Sequence, residues 1–343
     1  MMRDILTRLA NGDELTEQDA ESAMHEMMDG TASPVQVAAY LTLLRARGET
    51  IGELTGSARA MRDRALPMAV QPGVIDTCGT GGDGAGTFNI STAAAIVAAA
   101  GGVAVVKHGN RAASSLSGSA DVLDALGVAI EMSPQAAAEC LAETGICFLF
   151  AQAYHPAMKH VAPIRRELGY RTMFNFLGPL TNPARPKRQV LGAPNAAIAQ
   201  KMAHVLGALG SEHALVVSSV DGLDEIAVSG PTRVYEVRRE QVSEWTIQPS
   251  DMGLSQYPLT AVRGGDPAAN AAAVRAIFAG ETGARRDIVV ANAAAAFYVA
   301  GRATDLTTGA RLAERIIDDG RAAGKLAQLA AYSQRLANGV SAS

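Results

Sequence analysis

A glycine-rich loop, Gly79-Thr80-Gly81-Gly82-Asp83-Gly84, is the first stretch whose residue types and spacing can do chemistry. Glycines let backbone N–H groups come close to an anion, and the start of a following helix favours negative charge. Thr87-Phe88-Asn89-Ile90-Ser91-Thr92 supplies short polar groups at such a helix start. Asp83 is unusual in a pure anion cradle. A cation or a sugar hydroxyl bound beside the anion accounts for it. A tight turn alone would also want glycines here. Gly79, Gly81 and Gly84 formally match the dinucleotide pattern G-x-G-x-x-G, which wants an acid about 20 positions on. Val103 to Lys107 stands there instead, and a lysine suits phosphate better than a ribose diol. No G-K-[ST] follows, so a Walker A loop is excluded.

Further candidates lie downstream. Lys107, Asn110, Ser114, Ser115 and Ser119 sit just after a strand, where open α/β sheets bind ligands. Serines in a loop can also simply cap and turn. Asp224 and Glu225 are adjacent acids, either solvated surface charge or a hard-cation site. Arg165 and Arg166 stand side by side before Glu167. An arginine fork reads a carboxylate, or pairs with a neighbouring acid on a helix surface. His155 and His160 are too awkwardly spaced to hold a metal from one helix face and read as structural or lining residues. The sequence has no H-E-x-x-H, no G-x-S-x-G and no cysteine pair for zinc.

The elements that must position these residues can be read coarsely. The 343 residues suit two domains, or a large one with a smaller one attached. Residues 1–65 carry helical spacing, as in Val37, Tyr40, Leu41 and Leu44. Thr16 and Ser33 read as N-caps, Pro34 as a first helical residue, and Ser33–Gln36 and Thr50–Glu53 as capping boxes. Past Pro72 the pattern alternates. Strands are expected at 74–77, 103–106, 147–150 and 213–217, and helices at 91–100, 119–126 and 133–144. A hairpin is expected at 233–238 and 242–247, and helix again from Pro267. The fold class is therefore α/β, a small all-helical N-terminal domain (1–70) plus a large α/β domain (71–343) with a mostly parallel sheet. A net charge of −4 opposes generic nucleic-acid binding. Cys78, Cys140 and Cys147 form no disulfide framework, which suits a reducing cytoplasm. No apolar run reaches about 18 residues, so no membrane span is expected.

Four blocks carry a resemblance. Asp76 to Thr92 (DTCGTGGDGAGTFNIST), Lys107 to Gly127 (KHGNRAASSLSGSADVLDALG), Asn175 to Pro183 (NFLGPLTNP) and Gly222 to Glu225 (GLDE) are similar, in this order, to the signatures of the anthranilate phosphoribosyltransferases. The resemblance implies transfer of phosphoribose from phosphoribosyl pyrophosphate (PRPP) to the amine of anthranilate in tryptophan biosynthesis. It implies a fold shared with nucleoside phosphorylases, a segment near 165–182 returning to the helical domain, and a homodimer. PRPP would lie on Gly79, Gly82, Asp83, Thr87, Asn89, Ile90, Ser91, Thr92, Lys107, Asn110, Ser114, Ser115 and Ser119. Mg2+, as two ions, would use Ser91, Asp224 and Glu225. Anthranilate would meet Gly79, His108, Asn110 and Arg165, with Arg166 the competing carboxylate reader. No residue is assigned acid or base catalysis.

One departure stands out. The family often has lysine where Leu116 stands, so Arg111 or Lys107 would have to compensate in holding PRPP. Rival readings stay open at this level. A nucleoside phosphorylase would not need Asp224-Glu225 and is usually longer. A nucleic-acid-binding protein on this fold would need a basic groove. A transferase for another aromatic amine would differ in few side chains.

Overall fold

The structure, a computed structural model, describes residues 1–112 and 115–339. It opens with helices α1 (Met2–Ala10), α2 (Glu17–Met28), α3 (Pro34–Arg47) and α4 (Ile51–Arg64). Thr16, Ser33 and Thr50 each accept a backbone N–H three residues on, while Asp19, Gln36 and Glu53 reach back. These reciprocal bonds satisfy N–H groups that a helix start leaves open. Val37, Tyr40, Leu41 and Leu44 form the buried stripe of α3.

The α/β part follows as β1 (Ile75–Gly79), α5 (Ile90–Ala100), β2 (Val105–Gly109), α6 (Ser119–Ala125), α7 (Pro134–Thr144) and β3 (Ile146–Phe150). Short helices α8 (Ala151–Tyr154), α9 (Ala162–Leu168) and α10 (Phe174–Leu177) lead to β4 (Arg188–Gly192) and α11 (Ala196–Ala208). Then come β5 (His213–Ser219) and the hairpin β6 (Thr232–Arg238) and β7 (Gln241–Ile247). Helices α12 (Pro267–Phe278), α13 (Ala284–Val299), α14 (Leu306–Asp318) and α15 (Arg321–Ala337) close the chain.

The sheet runs β3-β2-β1-β4-β5-β6-β7. Strands β1 to β5 pair in parallel, and β6 and β7 are antiparallel. The sequence reading missed β4 and α11. β4 is only Arg-Gln-Val-Leu-Gly, too short to show a period, yet it lies beside β1 at the sheet centre. β2 also differs from its reading. It starts at Val105 and continues through Lys107-His108-Gly109, because these polar residues stay in register with Phe148, Leu149 and Phe150.

The sheet divides two apolar cores. Val190, Leu215 and Val217 face the one built on α5 and α13, while Leu191, Ala214 and Val216 face the other. This alternation is the period of two that both-sided burial requires. The second core joins α11 to the N-terminal helices and includes Ile164, Met173, Phe174, Leu177 and Leu180. The chain from 161 to 180 thus runs back over those helices. Among the described residues, no helix is long and apolar enough to cross a membrane.

Candidate active site

β1 is the strand from which the chain winds in two directions, towards β2 and β3 on one side and β4 and β5 on the other. The crevice outside the carboxyl ends of β1 and β4 is therefore the switch point where such sheets bind ligands. Gly79 and Gly192 end those strands opposite each other. Asp224, in the loop after β5, lies across both. A Cβ on Gly79 would collide with Asp224 Oδ2, and one on Gly192 would overlap the Asp224 backbone oxygen. Neither position has room for a side chain. The Gly81 N–H donates to Asp224 Oδ2 at 2.7 Å. Gly81, Gly82, Gly84 and Gly86 all have φ between 63° and 75°. That left-handed backbone is cheap only for glycine.

The next acid serves the next element. Glu225 Oε1 accepts the Ser91 N–H at the start of α5, at 3.1 Å. Buried Lys107 donates to the Thr77 carbonyl and, at 3.3 Å, to Ser91 Oγ. Thr77 Oγ1 in turn donates to the Ser91 carbonyl at 3.1 Å. Burial, then the charge of Asp83, pushes the Asp224 carboxyl up to about 7. Burial, then Asp224, pushes Glu225 up to about 8, with Lys107 pulling the other way. Asp83, Asp224 and Glu225 crowd one another, and Lys107 opposes this at Glu225, so the cluster favours a proton or a bound cation. The donors are all oxygens, a set that suits a hard cation such as Mg2+. Asp224 and Glu225 reach towards different elements, one to the glycine loop and one to α5.

Other predicted residues are engaged structurally. Asn89 Oδ1 accepts from Ser117 Oγ at 3.1 Å and from Asn270 Nδ2 at 3.0 Å, while its Nδ2 donates to the Ser117 carbonyl. Ile90 and Thr92 are buried. The Ile90 N–H donates to the Phe88 carbonyl. Thr87 forms an isolated bridge with Arg263. Asp83 Oδ1 accepts the Ala85 N–H at 3.0 Å, closing a turn. The Asn110 carbonyl accepts from Ser119 Oγ at 3.4 Å and from the Ala120 N–H. Ser115 Oγ donates to the Ser117 carbonyl at 3.4 Å. Ser114 lies outside the described residues. Leu116 is 75% exposed. Arg111 is committed to Asp121 and Asp124, at 2.9 and 3.3 Å.

On the other side of β2, His108 packs against His155 with ring centroids 5.2 Å apart. Burial pushes these imidazoles down to about 3 and about 4, so both are neutral at pH 7. Arg165 is half-buried, with its guanidinium 4.9 Å from the Phe174 ring centroid. Burial is what lowers its pKa. Arg166 is exposed. His160 is exposed and apart from this pair.

Several residues at the site escaped sequence reasoning. Asp76 is fully buried, and its carboxylate accepts from the His108 N–H at 3.3 Å and Asn182 Nδ2 at 2.9 Å. Asn182 also donates to the Val106 carbonyl. Both lie within the quoted blocks, which was the available signal. Ser117 stands in the second block as well, whereas Gly192 and Arg171 gave none.

Comparison with known proteins decides the family. A family model described as glycosyl transferase family, a/b domain, matches residues 71–323. A second, the helical bundle domain of the same family, matches 3–65. A relative named anthranilate phosphoribosyltransferase, from Rubrobacter xylanophilus, is 52% identical over 98% of this chain and 99% of its own. The chain belongs to the anthranilate phosphoribosyltransferase family. A second member, from Symbiobacterium thermophilum, is 51% identical over 98% of each chain. The crystal structure of the anthranilate phosphoribosyltransferase from Thermus thermophilus superposes with a TM-score of 0.91 at 45% identity, covering 96% of this chain and 99% of that one. The Saccharomyces cerevisiae anthranilate phosphoribosyltransferase in complex with PRPP and Mg gives 0.90 at 26% identity, covering 98% of each.

The four blocks that resemble anthranilate phosphoribosyltransferase signatures meet physically here. Asp224-Glu225 bonds to Gly81 and Ser91 of the first block. Lys107 of the second reaches Ser91. Asn182 of the third reaches Asp76 of the first.

Proposed function

We propose that this chain transfers 5-phosphoribose from PRPP to the amine of anthranilate, giving N-(5-phosphoribosyl)anthranilate and pyrophosphate, a step of tryptophan biosynthesis. One observation carries the reading. At the sheet's switch point two buried acids with raised pKa values hold the N–H groups of a glycine loop and a helix start. Such a place combines anion donors with a demand for cations.

The site residues are assigned within that reading. PRPP lies over Gly79, Gly82, Asp83, Ser91, Lys107 and the 110–119 loop, with Thr87, Asn89, Ile90 and Thr92 supporting the cradle. Ser91, Asp224 and Glu225 hold Mg2+, as two ions because the acids face different elements. Anthranilate lies against Gly79, His108 and Asn110. Arg165 takes its carboxylate in preference to the exposed Arg166. Residues 1–70 and 165–182 form the acceptor-side domain, 71–343 the PRPP domain, and the helical domain pairs two copies of the chain in the cytoplasm.

The amine is neutral at pH 7 and needs no strong base. Its nitrogen attacks the anomeric carbon as the bond to the pyrophosphate oxygen breaks and that electron pair leaves with pyrophosphate. The extra amine proton departs afterwards to water or phosphate. Lys107 and the backbone N–H groups meet the charge that develops on the leaving group. Mg2+ would neutralise the diphosphate oxygens. Arg165 fixes the acceptor so that amine and carbon are aligned.

Loss of anthranilate fluorescence on adding PRPP, with and without Mg2+, tests the reading. We expect metal-dependent consumption, and Arg165→Ala to raise the KM for anthranilate about tenfold or more. A wild type that consumes no anthranilate under any metal condition would overturn it.

A further inference from the structure

We infer that Arg171 is a positioning residue that clamps the glycine loop to the N-terminal helices and so shapes the PRPP cradle. The inference rests on the reading of that loop as the PRPP site. Arg171 Nη1 donates to the Gly82 carbonyl at 2.7 Å, and Nη2 to the Gly81 carbonyl at 2.9 Å. A guanidinium is a planar, rigid fork, and here two consecutive carbonyls fill it. The fit is close, since a Cβ on Gly82 would stand 2.9 Å from Nη1.

Peptide groups are planar and trans, so a carbonyl's direction sets that of the next N–H. With the Gly81 and Gly82 carbonyls turned to Arg171, the N–H groups of Gly82 and Asp83 point the opposite way. Among the described residues no acceptor takes either of them. Two donors are thereby left open in a loop whose neighbouring N–H groups are taken, Thr80 by the Gly192 carbonyl and Gly81 by Asp224. Glycines at φ near 70° would otherwise make these peptide planes easy to rotate.

The clamp is bolted at its other end. Arg45 of α3 donates to the Arg171 carbonyl and stacks 5.5 Å from the Tyr170 ring centroid. The Tyr170 hydroxyl pairs with Thr42 Oγ1, also on α3. The place of α3 therefore sets the place of the loop. Arg165 and Arg171 then divide the work of one short segment, the first on the acceptor and the second on the donor's cradle.

The test is calorimetric titration of the whole protein with PRPP in Mg2+, together with steady-state kinetics, for wild type, Arg171→Ala, Arg171→Lys and Arg45→Ala. Arg171→Ala should weaken PRPP binding about tenfold or more, while the anthranilate KM at saturating PRPP moves less than about twofold. Arg171→Lys should recover part of the loss, because an ammonium lacks the fork. Arg45→Ala should weaken PRPP less than Arg171→Ala does. If Arg171→Ala does not fold, the other two variants carry the test. PRPP affinity unchanged within about twofold in the folded variants overturns the inference, as does an equal loss for PRPP and anthranilate. A wild type that fails to bind PRPP sinks the proposed function instead.

Discussion

Gly192 and Gly79 owe their identity to one neighbour. Asp224 comes so close that a methyl group on Gly192 would overlap backbone, which cannot swing aside. Gly192→Ala should therefore cost about 3 kcal/mol in urea unfolding and most of the activity. A variant as stable as wild type would contradict the packing. Asn182 holds a fully buried carboxylate whose pKa burial already raises. Asn182→Ala should lose about 1–3 kcal/mol, read from the urea midpoint, and Asn182→Asp more, since it adds a second acid. Lys107 and the loop glycines were singled out in the sequence by their types, and Asp224 by the block it stands in. Gly192, Asp76 and Arg171 were not. Their meaning comes from partners far along the chain, and a glycine, an aspartate or an arginine alone does not announce them.

The helices follow the same division between local and distant causes. The caps of α2, α3 and α4 were written in adjacent residues, and they formed. Glu53 shows where local reading stops. Its carboxylate caps Thr50, as the spacing foretold, and also accepts the Leu15 N–H at 3.0 Å and pairs with Arg47. It is 0% exposed. Glu53→Ala should thus cost far more than a lost cap, about 3–5 kcal/mol, because Arg47 and two N–H groups lose their partner. A drop of only about 1 kcal/mol, the worth of a cap, would show that the extra bonds add nothing. The β6–β7 hairpin was readable from its β-rich runs. β4 was hidden because five residues buried on both faces have neither alternation nor length.

Over the whole molecule, the acid side of the stability curve should be governed in part by His108 and His155. Both folded values, about 3 and about 4, lie below the ordinary value of about 6.5. The unfolded chain therefore binds more protons between those limits. Stability is full above about pH 6.5 and falls as the pH drops towards 4 and then 3. His108 faces His155 and Lys107, so protonation there is opposed by charge as well as burial. Urea midpoints from pH 7 to pH 5 should decline, and less steeply in His155→Gln. Equal slopes would remove the histidines from the account. The layering of the molecule, helices first and a parallel sheet after, was plain from the alternation of periods. That the N-terminal helices share a core with α11 and the sheet was not, because two helical faces carry no label for each other.

That shared core has a consequence during synthesis. Ile5, Met24, Leu41 and Leu54 belong to the same apolar cluster as Leu191, Met202 and Val216. The N-terminal residues leave the ribosome long before the later ones are made. At ordinary elongation rates the gap is roughly ten to thirty seconds. Through that interval the nascent chain carries four helices with part of their greasy surface uncovered, a stretch in which a ribosome-associated chaperone has something to hold.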